Sequence, residues 1–400
     1  MSLNMNRLIS SGLTVALSFL VVACSSPHTL DVRVNKDNYK DVIVEDASSV
    51  EDASSVEEPL RIWASEAPDF LYSADDQTTP ITVSGDQLNI LALSGGGANG
   101  AFGAGILIGL EESGQLKDYS IVTGISAGAL MAPFVFIGGD AFSKMKEVML
   151  NINDKSVLGK KNFLNTVFKD AFTDGEHLYQ FIAEAFPEPM IEQIATQHRS
   201  GKRLFIGTTH FDSGELVIWN VGAIANSEMP NKSELIYKVL AASASIPGVF
   251  PPQFINVEHE GVIFEELHVD GGLATQVFFN PSNFDYQQIS DSLGLETSPQ
   301  LDIIRNGSLK APYHSLRDKG LDLVAKSVSS LTLAQTRGDL YRMKYICEIN
   351  NIDMQFTYME QDFSYAKRTK DMFDEHYLLT IYKYGYHKAT RGKPWVTELP

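Results

Sequence analysis

Between Leu88 and Gly128 the chain passes through two strand-turn-helix units in succession, and their glycines leave few folds open. The first unit reads LNILALS and then GGGANGAFGAGILIGLEESG. It is a short β-prone apolar run, a turn only glycine tolerates, then helix-like apolar spacing. Its loop, Gly95-Gly96-Gly97-Ala98-Asn99-Gly100, leaves backbone N–H groups at a helix N-terminus, where they and the helix dipole favour negative charge. The second unit reads YSIVTGIS and then AGALMAPFVFIG, which puts Ser126 of Gly124-Ile125-Ser126-Ala127-Gly128 on the turn between an apolar strand and a helix. A nucleophile elbow requires this setting, with small neighbours that permit a strained turn. An anion cradle beside such a serine points to acyl transfer.

A serine hydroxyl needs a base within hydrogen-bond reach and donors for the oxyanion. The strand-like run Phe264 to Val269 ends at Asp270-Gly271-Gly272, so the Asp270 carboxylate sits on a strand-end turn, where a sheet presents functional groups. His268 precedes it by two positions and shares its face, which keeps a Ser-Asp-His arrangement open. His314, His376 and His387 follow the acid in the order of an α/β-hydrolase, but none lies in a motif. Asp212 is read as part of the turn Asp212-Ser213-Gly214. A dinucleotide fingerprint at Gly95, Gly97 and Gly100 would need an acidic residue about 20 positions on, and Ile121 to Ser126 holds none. No Gly-Lys-Ser/Thr follows the glycines, so a P-loop is not indicated, and the nine histidines form no HExxH. No cofactor or metal is expected.

The three motifs, in this order, resemble the patatin-like phospholipase family. The resemblance continues through Thr208 to Glu215, Trp219-Asn220-Val221-Gly222 and Ala241 to Pro252. It implies a Ser-Asp dyad lipid acyl hydrolase without a catalytic histidine: Ser126 attacks an ester carbonyl, Asp270 serves as base, and backbone N–H groups of Gly95, Gly96 and Gly97 hold the oxyanion. The substrate it implies is a phospholipid, lysophospholipid or related lipid. The family usually has Arg or Lys where this chain has Asn99, so the loop is expected to be less positive. A non-catalytic lipid-binding lipoprotein that keeps the fold is the competing reading, prompted by Asn99 and an acidic repeat. The intact Ser126 and Asp270 argue against it.

Met1 to Ala23 carries Arg7 before an apolar run, the layout of a secretory signal. Val21-Val22-Ala23-Cys24 resembles the lipobox of bacterial lipoproteins. That resemblance implies a lipidated Cys24, membrane attachment through this N-terminal anchor and placement in the cell envelope, with Ser25 compatible with the outer membrane. Residues 24–58, with EDASSV twice in succession, read as an acidic tether of about 35 residues and roughly 30 Å span. Residues 59–87 are expected to wrap the domain as an extended lead-in, and residues 88–400 to form one catalytic domain. Cys24 and Cys347 are the two cysteines, which excludes a disulfide framework. The net charge of −18 argues against nucleic acid as a partner and against electrostatic binding to anionic lipid.

Alternating strand and helix patterns predict an α/β fold of three α/β/α layers around a central, mostly parallel sheet. Helices are expected at Lys144 to Leu158, His177 to His198, Ser315 to Arg337 and Asp371 to Ala389. Strands are expected at Arg203 to His210, Glu215 to Trp219 and Leu301 to Arg305. The Tyr and Phe residues of the last two helices read as core or surface anchors rather than a lipid groove.

Overall fold

The computed structural model describes residues 32–47, 58–158, 176–280, 282, 284–311, 313, 315 and 320–400. The expected signal segment, Cys24, His314 and most of the EDASSV repeat lie outside these residues.

One sheet forms the middle layer. Its strands are β1 (Ile43–Val44), β2 (Arg61–Trp63), β3 (Asn89–Leu93), β4 (Ile121–Ile125), β5 (Arg203–His210), β6 (Glu215–Asn220), β7 (Gln253–His259), β8 (Val262–Asp270), β9 (Gln300–Ile304) and β10 (Asp353–Thr357). The order is β1-β7-β8-β5-β4-β3-β9-β10, with β6 also paired to β5 and β2 to β6. The run β10, β9, β3, β4 and β5 is parallel throughout. The central strands β3 and β4 read as near-continuous apolar stretches because both faces of a parallel sheet are covered there. Leu91, Leu93 and Val122 point into one apolar cluster, and Ile90, Ala92 and Ile121 into the other. Period-two alternation therefore sorts a wholly apolar strand into two cores.

The helices are α1 (Gly100–Glu112), α2 (Ala127–Ile137), α3 (Ala141–Asn151), α4 (Asp154–Val157), α5 (Glu176–Ala185), α6 (Glu188–Arg199), α7 (Val221–Asn226), α8 (Lys232–Ala244), α9 (Gln287–Ser292), α10 (Gly320–Ile349) and α11 (Glu375–Thr390). The first core is closed by α1, α2, α3, α8 and α11, the second by α10 through Leu340, Met343, Ile346 and Cys347. The protein is an α/β fold with helices on both faces of its sheet. Burial pushes the Cys347 thiol up to about 12, which leaves it an inert apolar group.

Two expected helices are each broken in two. The segment from Lys144 ends at Asn151, and a new turn starts at Asp154 because the Asn153 side chain accepts from the Ser156 amide in a capping box. The segment from His177 divides at Phe186 and Pro187, since proline cannot donate into the preceding turn. Conversely, α10 runs beyond Arg337 to Ile349.

The 24–58 tether needs correction over residues 32–47. Val34, Val42 and Val44 are buried, β1 pairs antiparallel with β7, and Arg33 forms an ion pair with Asp212. Three valines spaced among polar residues suffice to dock the strand, although the composition of the whole segment is polar. Farther on, Arg61 of β2 forms a bidentate ion pair with the fully buried Glu266. Burial pushes the Glu266 carboxyl up, but the Arg61 charge and the His268 hydrogen bond outweigh it and bring it down to about 2. Arg61→Met strands a buried carboxylate, so a loss of about 3–5 kcal/mol is expected in urea unfolding at pH 7. A loss below about 1 kcal/mol would contradict this pairing.

Candidate active site

The register of β5 brings the two motif residues together. Ile125, the last residue of β4, lies opposite Gly207 on β5, and Asp270, the last residue of β8, lies opposite Thr208. Strands β4 and β8 run toward each other along one edge of β5, so their ends meet. Ser126 Oγ donates to Asp270 Oδ2 at 2.7 Å across this junction. Both side chains are buried, at 5% and 4% exposure.

Ser126 has φ 52° and ψ −120°, a conformation that L-residues rarely adopt. Such strain persists only where the surroundings over-determine it. Here the Ser126 amide donates to Ser243 Oγ at 3.0 Å, and that hydroxyl donates onward to the Gly207 carbonyl at 2.7 Å. The elbow is thereby tied to α8 and β5 at once. Close approach explains its second glycine, because a Cβ on Gly128 would lie 2.3 Å from the Leu93 carbonyl oxygen.

Asp270 is fixed from three sides. Its Oδ1 accepts from the Gly272 amide at 2.7 Å, its carbonyl accepts from Thr209 Oγ1 at 2.9 Å, and its amide donates to the Ser245 carbonyl at 3.0 Å. Burial raises the carboxyl to about 6, against the opposing hydrogen bonds from Ser126 and Gly272. A carboxylate with that affinity for a proton is a better base than an exposed aspartate.

The glycine loop enters the same cleft, which Gly96, Gly97, Ser126 and Asp270 line together. One of the three expected oxyanion donors is already committed: the Gly95 amide donates to the Gln276 carbonyl at 3.0 Å. Gly96 and Gly97 keep amides with no protein acceptor among the described residues. The Gln276 amide in turn donates to Asp339 Oδ2 at 2.8 Å, and its side chain donates to the Gly272 carbonyl at 2.6 Å. Helix α10, which carries Asp339, therefore clamps the glycine loop and the Asp270 turn through one glutamine.

His268 is not part of this constellation. Its Nδ1 meets Thr208 Oγ1 at 2.9 Å and its Nε2 meets Glu266 Oε2 at 3.0 Å, while Trp219 Nε1 donates to the same threonine oxygen. That pattern assigns the neutral tautomer with the proton on Nε2, in keeping with a pKa lowered by burial. The Ser-Asp-His arrangement left open by the sequence is not formed. His376 binds the Ala366 carbonyl and His387 stacks edge-on to Tyr386, both away from the dyad. Asp212 is held by Arg33 at the surface.

On its other side Ser126 faces an apolar pocket whose walls include Leu130, Met149, Val157, Leu178, Phe250 and Phe373. The wider cleft carries Arg305, Lys310, Lys326 and Lys367, with Glu360 and Asp362. Tyr377 of α11 lines it as well and donates to Asn99 Oδ1 at 2.6 Å. Tyr377 lies in the first core and Phe373 packs against it, as their reading as core anchors expected, and in addition Phe373 lines the apolar pocket and Tyr377 the wider cleft. Residues 91–281 match the family model for patatin-like phospholipase.

These residues form a patatin-like phospholipase domain. No curated protein matches the chain. Among solved structures, the chain is similar to VipD from Legionella pneumophila, 13% identical with a TM-score of 0.39, over 77% of this chain and 67% of that one. It is also similar to the type III effector protein ExoU, 19% identical with a TM-score of 0.25, over 39% of each chain. A structure of SpcU in complex with ExoU from Pseudomonas aeruginosa gives 20% identity and a TM-score of 0.24, over 42% of this chain and 39% of that one. The patatin-like domain accounts for the three motifs, and the strands flanking it complete the sheet.

Proposed function

We propose that the protein is a serine acyl hydrolase of lipid carboxylic esters. The observation that carries this reading is the 2.7 Å hydrogen bond from Ser126 Oγ to a buried Asp270 carboxylate. Asp270 takes the Ser126 proton as Oγ attacks the ester carbonyl, and the tetrahedral oxyanion accepts from the Gly96 and Gly97 amides. Collapse expels the alcohol, which recovers the proton from Asp270, and leaves an acyl-enzyme on Ser126. Water, deprotonated by the same carboxylate, then releases the fatty acid and restores the serine.

The apolar pocket beside Ser126 suits an acyl chain. Lys310, Lys326 and Lys367, lining the cleft of a chain with net charge −18, suit a phosphate-bearing headgroup, such as that of a phospholipid or lysophospholipid. A fluorophosphonate probe is expected to label the folded protein, with the adduct on Ser126 by peptide mass spectrometry and no labelling of Ser126→Ala. Folded protein that resists the probe would instead support a lipid-binding module.

A further inference from the structure

Arg305, the residue after β9, is buried at 7% exposure, and among the described residues it makes no direct salt bridge, Asp339 acting on it from farther away. Its Nη1 donates to the Gly95 carbonyl at 2.8 Å and reaches Ser94 Oγ at 3.3 Å, while its Nε has no partner. Ser94 Oγ also donates to the Gly95 carbonyl, at 2.7 Å. A buried guanidinium whose counter-charge, Asp339, acts without a direct salt bridge is costly, and a neutral donor would serve a purely structural bond at lower cost. Its charge therefore calls for a reason.

The peptide bond supplies one. The Gly95 carbonyl and the Gly96 N–H belong to the same planar trans unit, so they point in opposite directions. A donor holding the carbonyl from behind fixes the direction of the N–H, and a charged donor polarises the unit and strengthens that N–H as a donor. We propose that Arg305 is a positioning residue for the oxyanion, acting through the Gly95–Gly96 peptide to aim and strengthen the Gly96 N–H. It supplies from the end of β9 the positive charge that the loop lacks at Asn99, whose side chain is neutral and held by Tyr377. Burial lowers the guanidinium to about 10, partly offset by Asp339, so the cation persists throughout the working range.

This rests on the serine hydrolase reading, and its test is chosen to separate the two. A neutral short-chain ester removes any headgroup contact, and a boronic acid that forms a tetrahedral anion on serine reports the oxyanion site. For Arg305→Met, kcat is expected to fall about 10- to 100-fold with KM unchanged and Tm preserved within a few degrees. Boronate affinity is expected to weaken by a similar factor. Arg305→Lys, which keeps the charge without the planar fork, is expected to fall between the parent and Arg305→Met. Unchanged kcat in folded Arg305→Met, or a rise in KM alone, overturns the proposal. If Arg305→Met does not fold, Arg305→Lys decides: a several-fold loss of kcat at constant KM supports the role, and parental kcat overturns it. A parent protein inactive on the ester and inert to fluorophosphonate overturns the hydrolase reading itself, and this inference with it.

Discussion

Asp270→Asn is expected to lower kcat about 10²- to 10⁴-fold and, at the same time, to make the protein more stable at neutral pH. Asparagine retains the size of the side chain, and its one carbonyl oxygen can still accept from Gly272 while its NH2 group faces Ser126 Oγ as a donor, so it cannot take the serine proton. The stability gain follows from the burial that makes Asp270 a usable base. Its carboxyl is raised to about 6 in the folded protein, whereas an unfolded aspartate titrates near about 3.9. Between these values the folded state binds a proton that the unfolded state does not, so falling pH stabilises the fold through that window. Above about 6 the ionised carboxylate costs about 3 kcal/mol, which the asparagine avoids. Urea unfolding of both proteins should show the difference near its full value at pH 8 and close to zero at pH 4. A pH-independent difference would show that Asp270 is not a desolvated carboxylate. For the parent protein, with Asp270 as the base, kcat/KM should be flat above about pH 6 and fall roughly tenfold per unit below it.

Gly96→Ala carries the second largest expected effect. A Cβ at this position would lie 2.3 Å from the Asn306 carbonyl oxygen and 2.6 Å from the Asn306 Cβ. Asn306 has little room to yield, because its amide donates to Ser94 Oγ at 2.8 Å and its side chain to the Ser94 carbonyl at 2.7 Å. The glycine loop must therefore move, and the Gly96 amide moves with it. Loss of one oxyanion donor predicts a drop of about 10²- to 10³-fold in kcat. Overpacking adds about 1–3 kcal/mol of lost stability. Steady-state kinetics on a protein shown to be folded by circular dichroism gives the answer, and activity within threefold of the parent would remove Gly96 from the oxyanion site.

The pairing of Ser126 with Asp270 was legible in the sequence because both residues sit on turns whose backbone demands glycine or a short polar neighbour. Gly124 and Gly128 bracket the strained Ser126, and Asp270 is followed by two glycines. The parallel core was legible for a different reason: strand and helix patterns alternate along the chain, as in β3, α1, β4 and α2. What depended on distant contacts was not legible. The commitment of the Gly95 amide to Gln276 joins positions far apart in the chain, so three glycines in a row read as three equivalent donors. Ser243 lay within a recognised small-residue run, but its hold on the Ser126 amide emerges only when α8 packs on β5. Arg305 was visible as the end of a strand, whereas its charge behind the glycine loop required the pairing of β9 with β3. The docked residues 32–47 were hidden by averaging, since Val34, Val42 and Val44 are diluted by acidic and polar neighbours. Helix breaks at Asn153 and Pro187 are local signals that long apolar spacing concealed.

Hydrolysis of a short-chain ester and of a phospholipid by the purified parent, Ser126→Ala, Asp270→Asn and His268→Ala tests the dyad most directly. Ser126→Ala and Asp270→Asn should lose activity on both esters, while His268→Ala, though less stable for lack of its Thr208 and Glu266 bonds, should keep kcat within about tenfold, far less than the loss of a general base. Equal loss in folded His268→Ala, or activity that survives Ser126→Ala, would contradict a Ser126-Asp270 active site.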